Sequence, residues 1–166
     1  MIASYDERDF ERALAVVGGA RPPQELAEQL GVDWDYVTWI AVDAAAAVLS
    51  EGGGDPKGRA VAYGGEAFTA GLLIGAFLPT EPAAAGTPLP AAVERVQKRG
   101  RHAVIAEHCD LTSVARFETA YSGQLVESME DSADLIGPVT RIFEAGLAVG
   151  LELGSGGDVD GGTEEL

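Results

Sequence analysis

Apolar residues recur every three to four positions along most of this 166-residue chain, a spacing that places them on one face of an α-helix. Phe10, Leu14 and Val17 show this pattern in the first segment, which begins with acidic residues and ends at a Gly-Gly pair. No stretch alternates apolar and polar residues over the length of a strand. Divided at its proline and glycine residues, the chain is predicted to form helices over 6–17, 22–30, 33–50, 57–78, 90–108, 110–129 and 138–153.

The predicted fold class is therefore all-α, a bundle of about six helices. A chain of this length can bury a hydrophobic core as one domain, which we place at 1–153. Its N-terminal part spans 6–50 and its bundle part spans 57–153. The stretch 154–166 is rich in glycine and acidic residues, and this composition predicts a disordered acidic tail.

Two segments, 68–75 and 143–150, share Phe, Ala, Gly, Leu and Gly in the same register. Small residues recur at four-residue intervals in each predicted helix: Ala67, Gly71 and Gly75 in one, Gly146 and Gly150 in the other. A glycine inside a helix costs about 1 kcal/mol relative to alanine, so their retention indicates a compensating close approach of helices. We predict that the two helices pack together within one chain. The alternative is that one stripe pairs with its copy in a second chain.

The charge balance changes the picture of the environment. Twenty-seven acidic residues against eleven basic ones give a formal net charge of -16, and two of the basic residues are lysines. This composition resembles that of proteins from salt-in halophiles, where concentrated salt screens the repulsion between carboxylates. It predicts a high-salt cytoplasm; an ordinary acidic protein is the alternative.

Cysteine content and hydropathy agree with a cytoplasmic location. The single cysteine, Cys109, excludes an intramolecular disulfide and fits a reducing compartment. The most apolar run, 60–78, contains Glu66, and a carboxylate inside a membrane is costly. We therefore interpret this run as a buried core helix and predict no membrane association.

One segment shows a family-like pattern. Ala27 is followed four residues later by Gly31, and the apolar positions around them are Leu26, Leu30, Val32, Val37 and Ile40. Residues 24–40 thereby resemble a helix-turn-helix of the winged-helix type. The resemblance implies a small residue where two helices touch, a left-handed glycine in the turn, and a third helix supplied by 6–17. It covers about a quarter of the chain and implies DNA binding.

The residues that such a second helix would present do not suit DNA. They include Asp33 and Asp35, and no lysine or arginine lies between Arg21 and Lys57, whereas phosphate contacts supply most non-specific affinity. Aromatic residues are typical of protein interfaces. We therefore predict a partner-binding surface at Trp34, Tyr36 and Trp39, with another protein or a second copy in a homodimer as the partner. Nucleic acid is the less favoured partner.

A basic segment is the exception to the acidic background. Four of the eleven basic residues lie in it, and with a histidine they form the candidate site for an anion or nucleic acid: Arg95, Lys98, Arg99, Arg101 and His102. The alternative interpretation, which we favour, is a set of ion pairs with the chain's own carboxylates.

Catalytic chemistry finds little support. His102, His108 and Cys109 could suggest a metal site or a nucleophile, but the two histidines are six positions apart and diverge around a helix. No catalytic residue, metal or cofactor is predicted, and Cys109 is expected in the core. The leading hypothesis is a non-enzymatic protein-interaction module. The second is a helix-turn-helix transcriptional regulator that binds DNA through the basic segment, and the third is a helical-bundle enzyme or metal protein.

Overall fold

The computed structural model describes residues 4–51, 58–79, 88–128 and 135–164, with 58–59 and 154–164 as backbone only. In these ranges the chain is all-α, as predicted, with eight helices rather than about six. They are α1 Glu7–Val17, α2 Pro23–Leu30, α3 Trp34–Ser50, α4 Gly58–Ala76, α5 Leu89–Arg99, α6 Arg101–His108, α7 Leu111–Ser128 and α8 Ile136–Glu164. Within the same ranges none of the helices is long and apolar enough to cross a membrane.

Local signals explain where the first three helices begin and end. At α1, Asp6 accepts hydrogen bonds from backbone N–H groups while Asp9 accepts one from the N–H of Asp6, which satisfies donors that a helix start leaves free. Helix α2 ends at Gly31, whose φ of 78° is left-handed and favours glycine. Asp33 then caps α3 by accepting from the N–H of Asp35.

The prediction of one helix over 90–108 is wrong, because the helix is interrupted at Gly100. Its φ of 89° and ψ of 138° lie outside the helical region, and the turn separates α5 from α6. The residue after α6, Cys109, is extended and forms an isolated bridge with Tyr5. The N–H of Tyr5 donates to the His108 carbonyl and the N–H of Asp110 donates to the Tyr5 carbonyl, each over 2.9 Å. The N-terminal segment is thereby attached to the α6–α7 junction.

The last helix differs from its predicted bounds of 138–153. Helix α8 begins at Ile136, which leaves Pro138 in the first turn, where a missing N–H is tolerated. Its backbone remains helical to Glu164, where the composition predicts a disordered tail. Position 57, where the fourth predicted helix begins, and position 129, where the sixth ends, lie outside the described residues, as do the connecting stretches 52–56, 80–87 and 130–134.

Helices α4 and α8 pack side by side in the centre of the molecule. A Cβ atom added to Gly146 would overlap the Phe68 carbonyl oxygen, and one added to Gly71 would overlap that of Phe143. Gly75 and Gly150 meet Leu147 and Leu72 in the same reciprocal way. Because equivalent positions of the two repeats contact each other in ascending order, the helices run parallel and are related by a pseudo-two-fold axis. Ala67 is fully buried beside this contact.

The remaining helices are arranged around this pair. Helix α3 packs along α4, and α1 and α2 contact α4 as well. Helices α5, α6 and α7 pack against α8. Residues 6–50, the part that resembles a helix-turn-helix, therefore lie against the glycine-striped α4, and this contact creates the site described next.

Candidate functional site: the aromatic surface of α3 and the adjoining cavity

The three aromatic residues predicted to bind a partner occupy two different sides of α3. Trp39 is 61% exposed, and its ring stacks on that of half-buried Tyr36 with the centroids 5.9 Å apart. Trp34 is half-buried and lines a cavity instead. Residues three apart share a helix face, whereas residues five apart are rotated by about 140°. The predicted surface is therefore divided between an exposed stack and a cavity wall.

The exposed stack continues into a small apolar surface with an acidic border. Val42, one turn beyond Trp39, is 45% exposed. Asp33, at the N-cap of α3, and Asp35 and Asp43 within the helix are exposed, and α3 contains no basic residue. We refer to Tyr36, Trp39 and Val42 as the aromatic surface. It combines a large exposed ring with a border that repels phosphate.

The cavity that Trp34 lines has a volume of about 480 Å³ and lies among α1, α2, α3, α4 and α7. Its walls are mainly apolar and include Ala41 and Leu73, both buried. Its polar side chains are the exposed carboxylate of Glu66 and the hydroxyl-bearing residues Thr38, Thr69 and Tyr121. Burial, and then the charge of Glu66, raises the pKa of Tyr121, so its hydroxyl stays protonated.

Sequence reasoning missed this cavity. A signal for it exists in retrospect, because several wall residues are small: Ala41, Ala62, Gly65 and Ala70. Their spacing on α3 and α4 leaves space where larger side chains would pack. Which helices face one another across that space is a tertiary property that a single helical pattern does not contain.

The basic segment is engaged with carboxylates of α8. Glu152 is only 3% exposed, and it lies 3.5 Å from the Arg95 guanidinium and 3.0 Å from that of Arg99. Arg99 also pairs with Glu107 at 3.0 Å. A carboxylate can remain buried only when charged or polar partners surround it, so these arginines stabilise the fold.

The other predicted anion-binding residues are also paired. Arg101 and His102 both contact Glu144, at 2.9 and 3.3 Å. Lys98, on the exposed side of α5, lies 3.7 Å from Glu94. The structure therefore assembles four of the five basic residues around α8 carboxylates, the ion-pair alternative raised by the sequence.

Glu144 belongs to a second polar contact, with Glu118 of α7. Burial, followed by the hydrogen bond to Glu144 and its charge, raises the pKa of Glu118 to about 8. Burial alone would raise the pKa of Glu144, but hydrogen bonds from Glu118 and Arg101 outweigh that effect and lower the pKa. Glu118 is therefore the protonated member of the pair and donates to ionised Glu144. Its Oε1 atom is buried without a hydrogen-bond partner.

We expect Glu118→Gln to remove a pH dependence of stability. A raised pKa means that this group stabilises the fold below the pKa of an unfolded glutamate, about 4.3, and that this contribution is lost as the pH rises through about 8. Glutamine keeps a neutral donor at every pH. Since solvent screens the half-buried pair, the variant should gain about 1–2 kcal/mol in free energy of unfolding over the wild type between about pH 5 and 9.

Urea unfolding across this pH range measures the difference, and the control is Glu127→Gln, a substitution at an exposed position. Parallel pH profiles for Glu118→Gln and the wild type would contradict the assignment.

The residues considered for catalysis or metal binding have different surroundings and partners. Burial, and then the charge of Asp9, raises the pKa of Cys109 to about 12, so the thiol stays protonated and unreactive. His108 contacts Glu107 at 3.6 Å, whereas His102 contacts Glu144 of α8. In the described ranges no three His, Cys, Asp or Glu side chains are grouped as metal ligands.

No family model, curated protein or solved structure matches this chain. The helix-turn-helix resemblance therefore depends on residues 24–40 themselves. Two local features that the resemblance implies are present, the burial of Ala27 and the left-handed φ of Gly31, but they do not establish membership of that family. DNA binding by this segment stays a prediction.

Proposed function

We propose that this chain is a non-enzymatic protein-interaction module that contacts its partner through the aromatic surface of α3. The observation that supports the proposal best is the exposure of Trp39, 61% of whose surface is accessible. Tryptophan is the residue type most enriched among those that dominate binding energy at protein interfaces. Its stacking on Tyr36 holds the ring in place before binding, which reduces the entropy lost on association.

The charges around this surface favour a partner other than a second copy. In a symmetric homodimer the same surface meets itself, which would bring Asp33, Asp35 and Asp43 of two chains together. A partner with an apolar recess and a basic border would instead complement them. In a high-salt cytoplasm, the location proposed here, screening shortens these interactions to a few ångströms, so apolar contact with Trp39 supplies most of the affinity.

The alternative, a helix-turn-helix regulator, would have to bind DNA with the basic segment. The arginines of that segment already contact Glu144 and Glu152. Binding a duplex would replace these ion pairs and expose a buried carboxylate, a cost that the interaction hypothesis avoids. DNA binding is accordingly an outcome of the test rather than the conclusion.

A photo-crosslinking amino acid at position 39 tests the proposal in the full chain, with position 111 as the matched control. Leu111 is an apolar residue of similar exposure, 57%, on α7. We expect position 39 to capture one protein in discrete stoichiometry and position 111 to capture none. With that purified partner, Trp39→Ala should weaken binding at least tenfold in molar KCl because it removes the central apolar contact. Leu111→Ala should leave the affinity unchanged.

Three results would contradict the proposal. They are equal capture at both positions, no capture at position 39, and sequence-selective binding of a duplex that depends on Arg95, Lys98 and Arg99. Sedimentation velocity distinguishes a fourth case, a concentration-dependent dimer abolished by Trp39→Ala. That dimer would retain the aromatic surface but overturn the choice of a different protein as partner.

A further inference from the structure

The cavity between α3 and α4 combines apolar walls with a single formal charge. Among the residues that line it, Glu66 is the one charged side chain, and no arginine, lysine or histidine contributes to the wall. Trp34 and Tyr121 supply aromatic surfaces. Within the described part of the chain, Glu66 forms no salt bridge with a basic residue.

The size of the cavity suits a small molecule. Its volume of about 480 Å³ lies within the range of about 300–1,000 Å³ that is typical of ligand pockets. The inner wall is apolar and shielded from solvent, since Leu73 and Ala41 are almost fully buried. Tyr121 is fixed from behind, because its ring packs on Phe143 of α8 with the centroids 4.9 Å apart.

We propose that this cavity binds a small organic cation, an aromatic or aliphatic amine whose ammonium group pairs with Glu66 and whose apolar body packs on Trp34 and Tyr121. An anionic amphiphile would place its charge beside the Glu66 carboxylate with no cation to compensate it. An ammonium group pairs with Glu66, and the aromatic residues Trp34 and Tyr121 in the wall add attraction for a cation close to them. The net charge of -16 further raises the concentration of cations near the surface.

Three probes of nearly equal shape test the choice of a cation: 2-naphthylmethylamine, 2-naphthylmethanol and 2-naphthoate. Isothermal titration calorimetry in KCl measures each affinity with the full chain. We expect the ammonium to bind at least tenfold more tightly than the alcohol, and the carboxylate to bind most weakly. The advantage of the ammonium should decrease as KCl is raised, because salt screens an ion pair at the mouth of a cavity.

Two variants place the binding at this cavity. Glu66→Gln should reduce the affinity for the ammonium about tenfold and leave that for the alcohol unchanged. Glu127→Gln makes the same change of net charge at an exposed position of α7 and should alter neither affinity. Ala70→Leu fills the space from α4 and should abolish binding of all three probes. If circular dichroism shows that Ala70→Leu is unfolded, Thr38→Leu fills the space from the α3 wall.

The remaining outcomes overturn the proposal. They are no binding by any probe, tightest binding by the carboxylate, equal affinities in wild type and Glu66→Gln, and binding that survives both cavity-filling variants. The two sites adjoin at Val42, which lines the cavity and belongs to the aromatic surface. The variants Glu66→Gln and Ala70→Leu change α4 alone and leave the aromatic surface intact, so their outcome is separate from that of the test at Trp39.

Discussion

Replacing Gly146 with alanine is expected to lower the free energy of unfolding by about 3 kcal/mol. The added Cβ would overlap the Phe68 carbonyl oxygen, a backbone atom that cannot move unless α4 and α8 separate. Separation would loosen a core in which Leu72, Leu147 and Phe143 are fully buried. Thermal unfolding in molar KCl measures the effect, which for a chain of this size corresponds to a decrease in Tm of about 10 °C.

Gly123→Ala is the matched control for this substitution. Gly123 lies inside α7, and nothing is within 4 Å of a Cβ added there. Alanine should therefore stabilise the protein by about 0.5–1 kcal/mol through its higher helix propensity. If Gly146→Ala melted at the temperature of the wild type or above it, the close approach of α4 and α8 would be disproved.

The second large effect is expected at the buried carboxylate of α8. Substituting both Arg95 and Arg99 with methionine leaves Glu152, at 3% exposure, without either of the guanidinium groups at 3.5 and 3.0 Å. Removing the partners of a buried charge costs about 3–5 kcal/mol. The Arg95→Met/Arg99→Met variant should be destabilised by about that amount in urea unfolding.

A third substitution distinguishes a buried charge from lost side-chain packing. Adding Glu152→Met to the double variant should recover most of the lost stability, because an apolar residue of similar size needs no counter-charge. Lys98→Met is the surface control: Lys98 and Glu94 are both exposed, so the change should stay below about 1 kcal/mol. A triple variant no more stable than the double one would show that the arginines act through their packing.

The glycine stripes show how far sequence reasoning reaches. Spacing alone indicates which face of each helix carries small residues, and the match between 68–75 and 143–150 indicates that these two faces pack against each other. It does not specify a parallel pair. Gly100 shows the opposite limit, since a glycine inside a helical pattern is compatible with continuation and its positive φ is set by the packing of α5 and α6 on α8.

The candidate site was partly predictable for a similar reason. The aromatic residues of α3 stand out in the sequence, and the 140° rotation between Trp34 and Trp39 follows from helix geometry. What each side of the helix contacts depends on the tertiary structure. The cavity depends on the position of α7, which brings Tyr121 into the same lining as Trp34. The Glu118–Glu144 contact joins α7 to α8, and no local pattern marks two carboxylates as sharers of one proton.

The parallel arrangement of α4 and α8 also has a consequence for folding. Gly71 and Gly146 are 75 positions apart, and the described part of the connection between them contains α5, α6 and α7. Helical bundles usually gain most of their contacts between neighbours in sequence and fold quickly, whereas long-range contacts must first offset the entropy of closing a loop. On the ribosome, Gly71 is therefore synthesised 75 residues before Gly146, and the small-residue face of α4 stays uncovered until α8 follows.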